Sequence, residues 1–109
     1  MAILVPVFRV RDAEASAQWY ARLGFIVTSR HRSEPGFPLV IAIERDGVLI
    51  YLSEHTGDAP PESLAYLHIE DVAPLAESLE LEIEETDYGR REIEVVDLDG
   101  NRIRIGSPA

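Results

Sequence analysis

The feature that most restricts the fold of this chain is a repetition of its element pattern. Residues 3–10 read as a strand, and Asp12 then offers a carboxylate to the free N–H groups at the start of an alanine-rich helix. Ser16, Trp19, Tyr20 and Leu23 recur at spacings of three and four, which turns them toward one helix face. Leu23-Gly24-Phe25 ends the helix: glycine accepts the left-handed cap and the next hydrophobe packs back. Strands are predicted over residues 25–32, 39–44 and 48–53, with Arg45-Asp46-Gly47 as the tight turn between the last two. After a polar, proline-containing connector over residues 55–62 the order begins again. A strand over 64–69 leads to a helix capped by Asp71 and ending near residue 79, then to strands over 81–86, 91–96 and 102–105. Pro74 falls in the first turn of that helix, where a missing N–H does least harm.

The two halves also share punctuation. Val10-Arg11-Asp12 and Ile69-Glu70-Asp71 stand at equivalent strand-to-helix junctions, and Asp46-Gly47 and Asp99-Gly100-Asn101 at equivalent late turns. Two copies are too few for an open repeat array. The chain is therefore read as α+β, two βαβββ modules in a single domain over residues 1–109, module one about residues 1–54 and module two about 63–109.

Charge and composition exclude several functions. Twenty acidic residues against ten basic ones give a formal charge of -10. Such a surface repels phosphate backbones, because nucleic-acid affinity depends on Lys and Arg displacing counterions, so no nucleic-acid partner is expected. Acidity attracts cations, and it equally serves plain solubility. No apolar run approaches the roughly 18 residues of a membrane span, and no charged-then-apolar leader precedes Ala2, so the expectation is a cytoplasmic protein without membrane contact. With no cysteine there is neither a disulfide nor a thiolate metal site. The chain has no glycine-rich phosphate loop, nucleophile elbow or Ser-His-Asp order.

The stretch DLDGNRIRI, residues 97–105, has the look of a calcium loop but not its content. An EF-hand places its glycine later and closes with a glutamate, because a hard cation needs several converging oxygens. Here Gly100 comes too early and no acid follows, which leaves Asp99-Gly100-Asn101 as turn chemistry.

Taken together, VPVFRVRD (residues 5–12), WYARLGF (19–25) and DLDGNRIRI resemble the vicinal oxygen chelate superfamily, which includes glyoxalase I, ring-cleaving dioxygenases, and fosfomycin- and bleomycin-resistance proteins. The resemblance implies curved mixed sheets around a concave groove. In the enzymes of that superfamily it also implies a divalent metal held by one side chain from the first and last strand of each module. Carried over, those positions fall at Val5, about Tyr51, near Leu64 and at Arg104, none a usual oxygen or imidazole ligand. No metal, no cofactor and no catalytic residue are therefore expected. Val5-Pro6-Val7, the apolar run ending in Ser53, and Tyr88-Gly89-Arg90-Arg91-Glu92 are most similar to the bleomycin-resistance proteins, which bind a drug without transforming it. That likeness implies a homodimer with exchanged first strands, where Pro6, lacking a ladder donor, suits a crossover.

Alternation along strands then predicts which side chains face the groove. The ligand-binding candidates are Tyr51 and Ser53, Tyr66 and His68, Glu92 and Glu94, and Arg102 and Arg104, with Tyr88 before the last hairpin and Phe37 in the loop over residues 33–38. Aromatic faces beside carboxylates suit a planar or cationic ligand. Against this, Arg102 and Arg104 oppose a strongly cationic one, opposite-sign neighbours leave the groove nearly neutral locally, and Arg104 serves equally well paired internally with Glu92 or Glu94. Tyr51 and Tyr66 serve equally well as packing residues at a dimer seam, and a lone His68 as a structural hydrogen-bonder. The functional reading is a metal-free small-molecule-binding protein of the antibiotic-resistance type, holding a bleomycin-like or other planar ligand in dimer-interface grooves. The alternative is a glyoxalase- or dioxygenase-like lyase or isomerase with a divergent metal site.

Overall fold

A computed structural model describes residues 1–109. The elements run β1 (Val7–Arg9), α1 (Ala13–Ala21), β2 (Ile26–His31), β3 (Val40–Arg45), β4 (Val48–Ser53), β5 (Leu64–His68), α2 (Ala73–Leu79), β6 (Glu84–Glu85), β7 (Arg90–Val96) and β8 (Arg102–Pro108). Their sheets are ordered β1-β4-β3-β2 and β5-β8-β7-β6. In each, the first strand of a module pairs in parallel with the last, and the remaining pairs are antiparallel. The two halves thus repeat one topology, the α+β arrangement of two βαβββ modules expected from the sequence.

Contacts divide the chain into two compact units. The first comprises Met1–Ser63 with Asp97–Asn101, the second Leu64–Val96 with Arg102–Ala109. In the first, Asp12 caps α1 by accepting the Ala15 N–H at 3.1 Å. Glu54, just past β4, accepts the Ala13 N–H through Oε2 at 2.9 Å and the Leu39 N–H through Oε1 at 3.0 Å. One carboxylate therefore satisfies both a helix start and the residue leading into β3. The helix buries Ser16, Ala17 and Tyr20, and Leu23 and Phe25 continue that core. Asp46 and Gly47 both adopt positive φ (48° and 84°), which matches the twist of the β3–β4 hairpin.

The turn Asp97–Asn101 leaves the second module to join this unit. Tyr20 donates its phenolic proton to Asp97 Oδ2 at 2.8 Å, and the N–H groups of Asp99 and Asn101 donate to Asp97 Oδ1 at 2.8 and 2.9 Å. Asn101 is fully buried; its amide donates to Asp97 Oδ2 and to the Arg9 carbonyl, and its Oδ1 accepts the Ser63 N–H. Asp99 Oδ1 accepts from the Arg11 backbone N–H and Nε, and Oδ2 accepts from Ser16 Oγ. The acidic spelling that suggested a calcium loop is a set of acceptors for protein N–H and O–H groups.

Four boundaries differ from expectation. The first strand is three residues long: its paired register on β4 covers Val7–Arg9, with the Pro6 carbonyl and the Val10 N–H as its last bonds to β4, and Ile3 and Leu4 lie exposed. The strand expected over 81–86 shrinks to Glu84–Glu85, because Glu80 takes a left-handed cap (φ 57°) and the Leu81 N–H bonds back to the Ala76 carbonyl. The cap of α2 is Val72, its N–H held by Ser107 Oγ at 3.0 Å, while Asp71 accepts the Ala73 N–H one position later. Strand β8 extends to Pro108, which pairs with Arg90. No helix is long and apolar enough to cross a membrane.

Candidate functional site

In the second unit, Leu67, Ile93, Val95, Ile103 and Ile105 alternate onto the buried side of the sheet. The residues between them share the other side. Register aligns Tyr66, Arg104 and Glu94 in one cross-strand row, and His68, Gly106, Glu92 and Glu84 in the next. A parallel β5 beside β8 places the aromatic residues next to the arginines, and the antiparallel β7 supplies the carboxylates on the far side.

Glu92 is the centre of this face. It is only 5% exposed although it lies on the open side of the sheet. Tyr66 and Tyr88 both donate to its Oε2, each at 2.7 Å. Those two bonds, aided by the charges of Arg104 and Arg90, hold the Glu92 carboxyl below the usual carboxylate range despite its burial. Donation to Glu92 in turn pushes the Tyr88 phenol up. Tyr66 reaches Glu92 by lying across Gly106.

The arginines are engaged within the protein. Arg104 donates to Glu94 Oε1 through Nη2 at 3.0 Å and Nε at 3.3 Å, and Arg102 approaches the same oxygen at 3.6 Å. That bond to Glu94 raises Arg104 above the ordinary guanidinium value. Arg90 places Nη2 2.7 Å from His68 Nδ1. Guanidinium has no lone pair to offer, so in this contact Nδ1 is the acceptor. Arg90 also lies over the Tyr66 ring at 5.8 Å, and the Tyr66 and His68 rings are 4.5 Å apart. Beside them opens a cavity of about 450 Å³ lined by Glu82, Glu84, Tyr88, Glu92, Ile93, Glu94 and Arg104, a volume suited to a small molecule.

Thus Tyr66, His68, Tyr88, Glu92, Glu94, Arg102 and Arg104 come together on one face. Two of the other candidates lie elsewhere in the first unit. Tyr51, 38% exposed, lines a separate hollow of about 460 Å³ with Leu49, Ala42 and His31. Phe37 is half-exposed in its loop, held by its carbonyl accepting from Arg32 Nε, and lines neither hollow.

Ser53 requires a correction. It is fully buried, donating to Asp58 Oδ2 at 2.6 Å and accepting the His55 N–H, because the connector after β4 folds back over the strand end. Its hydroxyl is not available to a ligand. Sequence reasoning missed Arg90, Gly106, Glu82 and Glu84; Gly106 lies just past the expected end of the last strand, so its place opposite Glu92 is visible only in the register of the fold.

The metal positions implied by the resemblance hold Val5, Tyr51, Leu64 and Arg104, the last bound to Glu94. Nowhere do three or more His, Asp or Glu side chains converge in a way that could hold a metal ion. These residues do not fit the metal of the superfamily's enzymes.

The family model described as "Glyoxalase superfamily protein" matches residues 1–108. The chain belongs to the glyoxalase superfamily. Among solved structures, this glyoxalase-superfamily chain is similar to a bleomycin-binding protein complexed with bleomycin, at 20% identity over all of both chains and a TM-score of 0.77. A bleomycin resistance determinant encoded on the transposon Tn5 matches at 20% identity over 99% of this chain and 98% of that one, with a TM-score of 0.78. TnmS3, an antibiotic binding protein from Streptomyces sp. CB03234, matches at 23% identity over 100% and 99%, with a TM-score of 0.73. At such identities the likeness establishes the fold. No curated protein sequence matches the chain.

Proposed function

We propose that this glyoxalase-superfamily protein binds a small molecule without transforming it, sequestering a planar or cationic ligand of the kind carried by bleomycin-like antibiotics. The observation that carries this reading is the pairing of an exposed aromatic platform, Tyr66 against His68, with an adjoining cavity whose walls set four carboxylates against one guanidinium. That guanidinium, Arg104, is tied to Glu94, which weakens the objection that the arginines would repel a cation. Stacking on the rings and charge-assisted hydrogen bonds to the carboxylates would then act on the same ligand.

His68 supports binding over acid–base catalysis. A histidine base is commonly oriented by a carboxylate or another acceptor on its second ring nitrogen. His68 Nδ1 faces the Arg90 cation instead, Glu94 is held by two arginines, and Glu54 is committed to backbone N–H groups. In this reading binding needs no metal, and the protein acts in the cytoplasm by mass action as a homodimer. The apolar, unpaired stretch around Ile3 and Leu4 favours exchange of first strands with a second copy, with the binding grooves at that interface.

The test is an equilibrium titration with copper-free bleomycin and a panel of planar cations, with a chelator present and tyrosine fluorescence as the readout. Saturable binding is expected, and Tyr66→Ala should weaken it by about 1–3 kcal/mol, roughly 5- to 150-fold. Absence of binding across the panel, or binding that returns only on adding a divalent metal, overturns the proposal.

A further inference from the structure

Gly106 lies within β8, in ordinary strand conformation, so no turn or positive φ explains the glycine. Space does. A Cβ built there would overlap the Tyr66 hydroxyl and stand 2.9 Å from Tyr66 Cζ and 3.2 Å from Glu92 Cγ. The bare backbone between His68 and Glu92 is the bed on which the Tyr66 ring crosses the sheet.

The consequence falls on Glu92. Both tyrosine hydroxyls converge on Oε2, and Oε1 receives no hydrogen bond from the chain. The guanidinium on the cavity wall, Arg104, is bonded to Glu94 instead. Glu92 is therefore a nearly buried carboxylate with one oxygen saturated and one unpartnered, on the wall of an acidic cavity. Such an oxygen is open to the cavity, where water meets it, and a charged donor that replaces the water satisfies it best.

We propose that Gly106 is the positioning residue that sets the charge preference of this face: by admitting the Tyr66 ring it fixes Glu92 so that Oε1 anchors the N–H groups of an amidinium- or guanidinium-type cation. The inference rests on the binding reading above and adds to it both the ligand class and the anchoring atom. An alanine at 106 would lift Tyr66 from Glu92, leaving the carboxylate with Tyr88 alone and free to turn. The low position of the Glu92 carboxyl, caused first by the Tyr66 bond, agrees with this dependence.

The experiment compares a planar cation with its neutral isostere, 4-methylbenzamidinium against 4-methylbenzamide, titrated at neutral pH and followed by NMR. The unsubstituted protein should prefer the amidinium by about tenfold or more. Glu92→Gln should remove that preference by weakening the amidinium alone. Gly106→Ala and Tyr66→Phe should each reduce it, and in both the Glu92 carboxyl ¹³C titration should move up toward the ordinary range. Tyr66→Phe keeps the ring and removes only the hydroxyl, so it carries the test if Gly106→Ala fails to fold. Equal affinity for the two probes, or a preference and a Glu92 titration unchanged in both variants, overturns the inference. If the probes bind equally while copper-free bleomycin binds, the charge preference falls and the binding reading stands; if nothing binds, both fall.

Discussion

Replacing Tyr20 by Phe isolates the bond that fastens the Asp97–Asn101 turn to α1. The ring is fully buried, 4.9 Å from Trp19, 6.1 Å from Phe25 and 6.4 Å from Phe8, and phenylalanine preserves all three contacts. Only the 2.8 Å hydrogen bond to Asp97 Oδ2 is lost. Burial, reinforced by the Asp97 charge, pushes the phenol far above its usual value, so it remains a donor throughout the accessible pH range. Hydrogen bonds to charged groups contribute about 1.5–3 kcal/mol. Asp97 keeps three other donors, two backbone N–H groups and the Asn101 amide, so no acceptor is orphaned. The lower part of that range follows, about 1.5–2 kcal/mol, or a melting temperature lowered by roughly 6–12 °C. Urea denaturation followed through Trp19, the only tryptophan, reads the change directly. The midpoint should fall with an unaltered m-value. A loss below about 0.5 kcal/mol, within the scatter of a neutral surface change, would refute the claim that this bond holds the turn.

Two further predictions concern acid and assembly. Because the folded-state value of Glu92 lies below its unfolded one, its contribution is fully present above the ordinary carboxylate value and is lost as pH falls through the lower folded value. Glu92→Gln should therefore flatten acid unfolding in that window and leave the profile near neutrality parallel to the unsubstituted protein; an unchanged acid limb would contradict it. Under the strand-exchange proposal, the unsubstituted protein should sediment as a dimer and deletion of residues 1–6 should convert it to a monomer while the sheets persist by circular dichroism; an unchanged sedimentation coefficient would remove that proposal.

The sequence made the fold readable because its signals are local. Helix spacing in residues 13–23, the Asp46-Gly47 turn and the repeated strand-to-helix junctions each depend on neighbours along the chain. The expected strand over 81–86 failed because a helix cap at Glu80 took the Leu81 N–H first. β1 came out short because its length is set by distant β4. In the site, alternation placed Tyr66, Glu92, Glu94 and Arg104 on one face, since a strand's period is fixed. It could not foresee that Ser53 would be covered by the connector after β4, or that Arg90 would take His68 Nδ1. The role of Gly106 was hidden for the same reason: it follows from a diagonal reach across two strand pairings. DLDGNRIRI divides on this line, with its turn half answering to Tyr20, 77 residues away, and its arginine half to Glu94 across the hairpin.

The central claim is that a small ligand binds on the β5–β8–β7 face, and residue-resolved NMR during a ligand titration tests it most directly. With copper-free bleomycin or a planar cation, the largest saturable shifts should fall on Tyr66, His68, Tyr88, Glu92 and Arg104, with a chelator present. Shifts absent from these residues, or concentrated around Tyr51 and His31, would contradict the account.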